Sequence, residues 1–357
     1  MRLRNFALLF SIFTFTLAAC RTTPAATPTQ PPPTPSPSPT EVPVLSPDFK
    51  FFGDDPAIPI IANGLSGDWD SRYINPGALL YHNGKFHMFR NGFVTWPGFV
   101  AVGYMTSEDG YKWNVVQDEP VFTSDEVPFA DSAMLVTSAF VTDDGTWVFI
   151  FSTFNSSRAH SVIGRATASS PQGPWTVDPE PILLPGGEGA WDENNVRWPN
   201  VVGTKDGYVM FYSGQDSSNI FRIGRATSPD GVTWTKYDDP ATTEDLYAES
   251  DPVLSSSGKW DVRNVDRPIV QLTPDGYVMI YAGSIITRRG LATSQDGILW
   301  EPYENNPIFT NEDYPVPNNT WDTAMLYVDG TYFYYMEIGT MTATDIYLTT
   351  HTGLLFR

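Results

Sequence analysis

Cysteine occurs once in 357 residues and histidine four times. One thiol excludes a disulfide framework and any cysteine-based zinc site, and four histidines leave little for other zinc centres. Positive charge is scarce: 21 Lys and Arg stand against 41 Asp and Glu, a formal charge of −20. Such a polyanion has no electrostatic footprint for a nucleic-acid backbone or an anionic membrane surface. No window long enough for a sizeable helix carries a 3.6-residue apolar period. What the chain does have is 41% hydrophobic residues, enough for a core, and 14% aromatics with Gly 28 and Pro 31. That mixture suits strands and tight turns.

The lone cysteine has a specific setting. Arg2 and Arg4 precede an apolar and hydroxyl run from Phe6 to Leu17, which ends in Leu17-Ala18-Ala19-Cys20. The run is too short for an ordinary membrane span and reads as an export signal over residues 1–20. Its end resembles a bacterial lipoprotein lipobox, which implies that Cys20 becomes the lipid-bearing N-terminus. Residues 21–45 follow with nine prolines and six threonines, an extended linker that cannot build a core. The expected location is therefore the cell envelope outside the cytoplasm, at the outer membrane or cell surface, with the membrane contacted through that lipid alone. Only Arg2, Arg4, Arg21 and Glu41 precede residue 46, so the body at 46–357 keeps 18 basic and 40 acidic residues.

Within the body a motif repeats. Ser107-Glu108-Asp109-Gly110-Tyr111-Lys112-Trp113 recurs at 228–234 and 294–300, with a degenerate copy at 169–175. The tryptophans lie 62, 59 and 66 residues apart. Each copy follows a short strand, and upstream of each lies an apolar strand, a turn ending in Gly (Gly84, Gly145, Gly207, Gly276) and an aromatic strand. A fifth unit around Gly330 lacks the final motif. Five units of about 62 residues, each of four short antiparallel strands, predict an all-β, five-bladed β-propeller. Residues 47–61, carrying Phe49, Phe51 and Phe52, are expected to supply the strand that the fifth blade lacks and so close the ring. The repeated Asp-Gly pairs are turn formers, and their tryptophans are expected between blades.

With this period, the Ser-x-Asp-Gly-x-x-Trp turn and blade starts such as Asn75-Pro76-Gly77 and Asp266-Arg267-Pro268, the chain resembles the five-bladed propeller glycoside hydrolases of families 43, 32, 62, 117 and 130. The resemblance covers nearly all of residues 46–357. It implies a central funnel, a carbohydrate substrate with arabinose, xylose or fructose as the usual range, and three carboxylates acting as base, pKa modulator and acid. One carboxyl must stay ionised and another protonated for such chemistry, and a like charge tunes the acid. Counting fourteen residues back from the hairpin glycines of the first three blades gives Asp70, Asp131 and Glu193 as that set. The Asp-Pro that carries the base in family 43 is Asn75-Pro76 here, and Asp70 shares its Trp-Asp dipeptide with Asp192, Asp261 and Asp322, a recurrence suited to a structural residue.

Further candidates for substrate binding around the funnel are Arg72, Asn75, Arg90, Arg197, Trp198, Asp266, Arg267, Asp322 and Glu337. Trp96, Trp198 or Trp321 could stack on a sugar. Glu337 stands out because it interrupts Tyr332-Phe333-Tyr334-Tyr335-Met336, which makes it the reserve acid. His82 and His87 read as turn and strand residues. No metal site and no cofactor are expected, a structural calcium being left open, and a monomer is expected. Three readings stay open: a lipid-anchored glycoside hydrolase, a glycan-binding lipoprotein without catalysis, and a family 130-like phosphorylase in which arginines converge on phosphate.

Overall fold

The computed structural model describes residues 47–155, 160–316, 319–353 and 355. The export segment, Cys20 and the linker lie outside the described residues. Among those described, regular helix is confined to two single turns, Ser124–Glu126 and Asp245–Tyr247. The rest of the regular structure is five antiparallel sheets.

Blade one runs from the axis outward through Tyr73–His82, Lys85–Phe93, Val100–Ser107 and Asn114–Val115. Blade two comprises Ala133–Val141, Trp147–Phe154, Ile163–Ala168 and Thr176–Val177. Blade three has Asn195–Thr204, Gly207–Gln215, Phe221–Ser228 and Thr235–Lys236. Blade four has Asp266–Thr273, Gly276–Ala282, Arg289–Ser294 and Glu301–Pro302. Blade five contributes Asn319–Val328, Thr331–Gly339 and Thr344–Thr352. Its fourth strand is Lys50–Phe51 from the start of the body, with Lys50 opposite Thr350 and Phe51 opposite Thr349. The first and last blades are thereby joined, and the innermost strands touch one another in cyclic order. A closed ring of this kind leaves only short outer edges.

The repeated turn works the same way in three blades. Ser107 Oγ accepts from the Gly110 amide at 2.9 Å, while Asp109 Oδ1 accepts from the Tyr111 and Lys112 amides at 2.8 Å each. Ser228 with Asp230 and Ser294 with Asp296 repeat this pattern. These amide bonds hold the Asp109 and Asp230 carboxyls below the usual carboxylate range. Gly231 sits at φ +73°, and a Cβ there would meet the Phe140 ring of blade two at 3.0 Å. The motif tryptophans pack on the preceding blade, as Trp113 does edge-on to Tyr335 and Trp300 to Phe211. The turn is therefore an inter-blade staple.

A second device sits at the opposite end of blades one to four. Trp69, Trp191 and Trp260 lie flat across paired glycines of the second and third strands: Gly92 and Gly103, Gly214 and Gly224, Gly283 and Gly290. A Cβ at any of these would come within 2.2–2.8 Å of the indole, so only glycine leaves room. Phe129 takes the indole's place over Gly164 in blade two.

Candidate active site

Every innermost strand breaks register at one point near its start. Pairing skips between Asn75 and Ala78, Val136 and Ser138, Arg197 and Asn200, Asp266 and Ile269, and Thr320 and Thr323. Proline occupies three of the bulges (Pro76, Pro199, Pro268), where a missing amide proton costs no ladder bond. Gly77, Trp198 and Arg267 adopt positive φ there, at 57°, 48° and 52°. Tryptophan and arginine in that conformation store strain, and such strain persists only where surrounding structure enforces it.

That structure is a set of bonds passed between blades. The Val136 amide donates to Asn91 Oδ1 at 3.0 Å, Trp198 to Ser152 Oγ at 2.7 Å and Arg267 to Ser213 Oγ at 2.9 Å. Ile74 closes the set by donating to Thr344 Oγ at 3.0 Å. The second strands of blades one, two and three thus fix the bulges of blades two, three and four, and the third strand of blade five holds the residue before the bulge of blade one. Together Asn75, Gly77, Thr137, Trp198, Arg267 and Asp322 narrow the channel to a constriction on the axis.

Above this floor opens a cavity of about 190 Å³. Tyr73, Phe93, Trp96, Leu135 and Trp198 form its wall on blades one to three, and Arg267, Trp321, Asp322, Glu337, Thr340, Met341 and Thr344 line it on blades four and five. Arg267 is its hinge: Nε donates to Asp322 Oδ1 and Nη1 to Asp266 Oδ2, both at 2.9 Å, while the guanidinium lies 3.9 Å from the centre of the Trp198 ring. Glu337, buried beneath, accepts from the Asp322 amide at 3.2 Å. Burial first, and the neighbouring Asp322 charge second, push its carboxyl up to about 8. Both causes favour the neutral acid at Glu337, beside an Asp322 paired with Arg267. A carboxyl that favours its neutral form, set beside a second carboxyl paired with a cation, is the arrangement that acid-assisted bond cleavage uses. Arg197, buried on the far side of Trp198, is lowered to about 10 by that burial.

The structure places the carboxylates counted from the hairpin glycines elsewhere; none of Asp70, Asp131 and Glu193 lines this cavity. Asp70 is buried against Gly92 and pairs with Arg90 at 2.5 Å, with Arg90 also stacked on Trp69. Asp131 is exposed ahead of the inner strand of blade two, its amide donating to Asn155 Oδ1. Glu193 accepts from the Ser217 amide at 3.0 Å and the Gly189 amide at 2.6 Å. The Ser217 side chain first, and these amide bonds after it, lower its pKa, the reverse of what an acid needs. Asp192 and Asp261 are buried and bonded in blades three and four, Asp192 to Lys236 at 2.6 Å and Asp261 to Ser257 at 2.8 Å.

Of the binding candidates, Trp198, Arg267, Asp322 and Glu337 come together in the cavity, Asn75 sits in its floor, and Asp266 joins through Arg267. Arg197 stands behind Trp198, Arg90 is taken up by Asp70, and exposed Arg72 reaches the Val94 carbonyl. Trp96 and Trp321 line the cavity as candidate stacking surfaces. The residues that composition and motifs missed are Tyr73, Phe93, Leu135, Thr340, Met341 and Thr344. Their signal was positional, since each lies within a few residues of an inner or second strand's funnel end. His87 is packed among Tyr104, Phe89 and Trp147. Among the described residues no three metal-ligating side chains gather.

No curated protein matches the chain in sequence. Solved structures with the same architecture include a glycosyl hydrolase from Bacteroides ovatus, 16% identical, with a TM-score of 0.62 over 85% of this chain and 93% of that one. A structure from the GH130 family, described as containing glycoside hydrolases that target β-1,2 mannosidic linkages in Candida mannan, is 17% identical, with a TM-score of 0.62 over 85% and 93%. A family 117 glycoside hydrolase from Zobellia galactanivorans is 14% identical, with a TM-score of 0.61 over 87% and 95%. At these identities the likeness is one of fold. The family model for the glycosyl hydrolases family 32 N-terminal domain matches residues 70–249, half of the sequence, and the chain belongs to that family.

Proposed function

We propose that this protein is a glycoside hydrolase acting on oligo- or polysaccharides, with Glu337 as general acid and Asp322 as the ionised carboxylate beside the anomeric carbon. The observation that carries this reading is the buried Glu337 carboxyl raised to about 8 next to an Asp322 held by Arg267, at the base of an aromatic-walled cavity. Glu337 protonates the leaving oxygen as its bond to the anomeric carbon breaks, Asp322 stabilises the positive charge that develops there, and water adds to that carbon and releases a proton to solvent, from which Glu337 is reprotonated. Arg267 bonds Asp322 Oδ1 and holds that side chain at the cavity. In this reading Asp70 and Glu193 hold structure, and the chemistry moves to blade five. The test is turnover of aryl glycosides by the soluble domain. Glu337→Gln should lose roughly 10²- to 10⁴-fold on poor leaving groups and recover on good ones, whereas Asp322→Asn should recover on neither. Sugar binding without turnover of any glycoside would leave a binding protein instead.

A second reading has one observation behind it. Arg197 is a buried cation whose Nε finds no acceptor, close behind Trp198 and Arg267. An anion taken there would make the reaction a phosphorolysis. Turnover that requires inorganic phosphate and yields a sugar phosphate would establish it.

The setting proposed is the cell envelope outside the cytoplasm, with lipid on Cys20 as anchor and 21–45 as spacer. This rests on the sequence of residues 1–45 alone. A labelled fatty acid incorporated by the parent and not by Cys20→Ser would support it, and a parent that partitions into the aqueous phase of a detergent extraction would end it.

A further inference from the structure

The cavity is two-sided, and the two sides set what a sugar in it can carry. All its charged side chains stand on blades four and five; blades one to three contribute Tyr73, Phe93, Trp96, Leu135 and Trp198. On that second side the Tyr73 hydroxyl is engaged and the Trp198 indole N–H is shielded, while Trp96 stands exposed to solvent. The Tyr73 hydroxyl donates to the Met341 carbonyl at 2.5 Å, leaving its ring stacked on Phe93 at 5.3 Å. The Trp198 indole N–H is buried without a partner and faces no solvent. Two hydroxyls on the polar side are engaged as well. Thr344 bonds both the amide and the carbonyl of Ile74, and Thr340 bonds Thr342 at 2.7 Å. What remains for a ligand is one polar edge, made of Asp322, Glu337 and Arg267, opposite an apolar face.

A cavity of about 190 Å³ holds one sugar ring. A hexose with hydroxyls along one edge satisfies Asp322, Glu337 and Arg267, and the part of the ring turned away from them then meets Leu135 and Phe93, with Trp198 beside Arg267 between the two sides. A hydroxymethyl group placed there surrenders its water without gaining a partner, whereas a methyl group gains contact. We propose that the cavity takes a 6-deoxyhexose residue, its C5 methyl seated on the wall of Phe93 and Leu135. The proposal names the substrate class of the site described above and rests on that site being where the hydrolase holds its sugar.

Binding tests this apart from turnover. Titration calorimetry on the wild-type soluble protein compares matched pairs: methyl α-L-fucoside with methyl α-L-galactoside, methyl α-L-rhamnoside with methyl α-L-mannoside, and methyl β-D-quinovoside with methyl β-D-glucoside. Within each pair the sole difference is the C6 hydroxyl. At least one deoxy sugar should bind about five- to a hundredfold more tightly than its hydroxylated twin, the range expected for one buried hydroxyl left unpaired. Equal binding, tighter binding of the hydroxylated member, or no binding in any pair overturns the proposal, whatever the protein hydrolyses. A deoxy preference in a protein that cleaves none of the corresponding aryl glycosides leaves the proposal standing and removes the hydrolase reading.

Discussion

Replacing Glu337 by Gln should change how stability depends on pH, and the size of the change follows from its surroundings. The side chain is enclosed by blade five, faces Asp322 and the Arg267 guanidinium beyond it, and has Thr344 as a further partner. Burial and the Asp322 charge both favour the neutral acid, raising its pKa from 4.5 to about 8. Between those values the folded chain keeps a proton that the unfolded chain releases. Stability contributed by the raised group is therefore complete below pH 4.5 and is lost as pH rises toward 8, at about 1.4 kcal/mol per pH unit. Over the whole interval this amounts to roughly 4–5 kcal/mol, after which the effect levels off. Glutamine keeps the shape and the acceptor for the Asp322 amide but has no proton to lose.

Urea unfolding of parent and variant at five pH values from 5 to 9 measures this directly. The parent should lose ground to the variant steadily with rising pH, and the gap should stop widening above about pH 8. Two parallel profiles would refute the reasoning, because they would mean that Glu337 titrates alike in the folded and unfolded chains. The same group should then fail as a proton donor, so that parent turnover falling above pH 8 and the stability curve report one titration.

Asp70→Asn should lower stability by roughly 3–5 kcal/mol, because Arg90 is left buried without its counter-charge; calorimetry should show a lower melting temperature with turnover kept in the folded fraction, and lost turnover in an equally stable variant would return Asp70 to the chemistry. Gly231→Ala should cost about 1–3 kcal/mol in urea unfolding, since φ is +73° and the new methyl meets Phe140 at 3.0 Å; an unchanged midpoint would show that this turn is not an inter-blade staple. Removing residues 47–61 should expose the third strand of blade five along the segment that Lys50–Phe51 covers and lower the melting temperature of the whole ring; a truncated protein that melts like its parent would mean that closure contributes nothing.

Much of the architecture was legible because its causes are local and repeated. Each Ser-x-Asp-Gly turn specifies its own hairpin through amides within five residues, so four tryptophans at near-equal spacing were enough to count blades. The closing strand could be placed because an incomplete unit at one end of the chain faced an unassigned aromatic run at the other. The candidate site was legible by composition but not by position. Arg267, Asp322, Glu337 and Trp198 could be picked out as chemistry-bearing residues. Their convergence depends on bulges in three inner strands and on bonds such as Trp198 to Ser152, made between residues 46 apart in sequence. No spacing rule counted from hairpin glycines captures a register break, and Asp70, Asp131 and Glu193 followed from such a rule.

The four Trp-Asp dipeptides show why. In blades one, three and four the tryptophan lies across two glycines and the aspartate beside it is buried in bonds to Arg90, Lys236 or Ser257. Each of these stands four to six residues before its inner strand begins. Trp321-Asp322 has the same two letters but lies inside the strand Asn319–Val328, at its break between Thr320 and Thr323. It occupies the level held by Pro76-Gly77, Trp198-Pro199 and Arg267-Pro268 in the other blades, which faces the axis. Arg289 holds it there from behind, donating to the Trp321 carbonyl at 2.6 Å from a position almost wholly buried. A dipeptide that clamps the edge of three blades becomes, shifted into the bulge of the fifth, part of the cavity wall. Recurrence in sequence therefore argued for structure at three copies and concealed a different role at the fourth, and only the pairing register tells them apart.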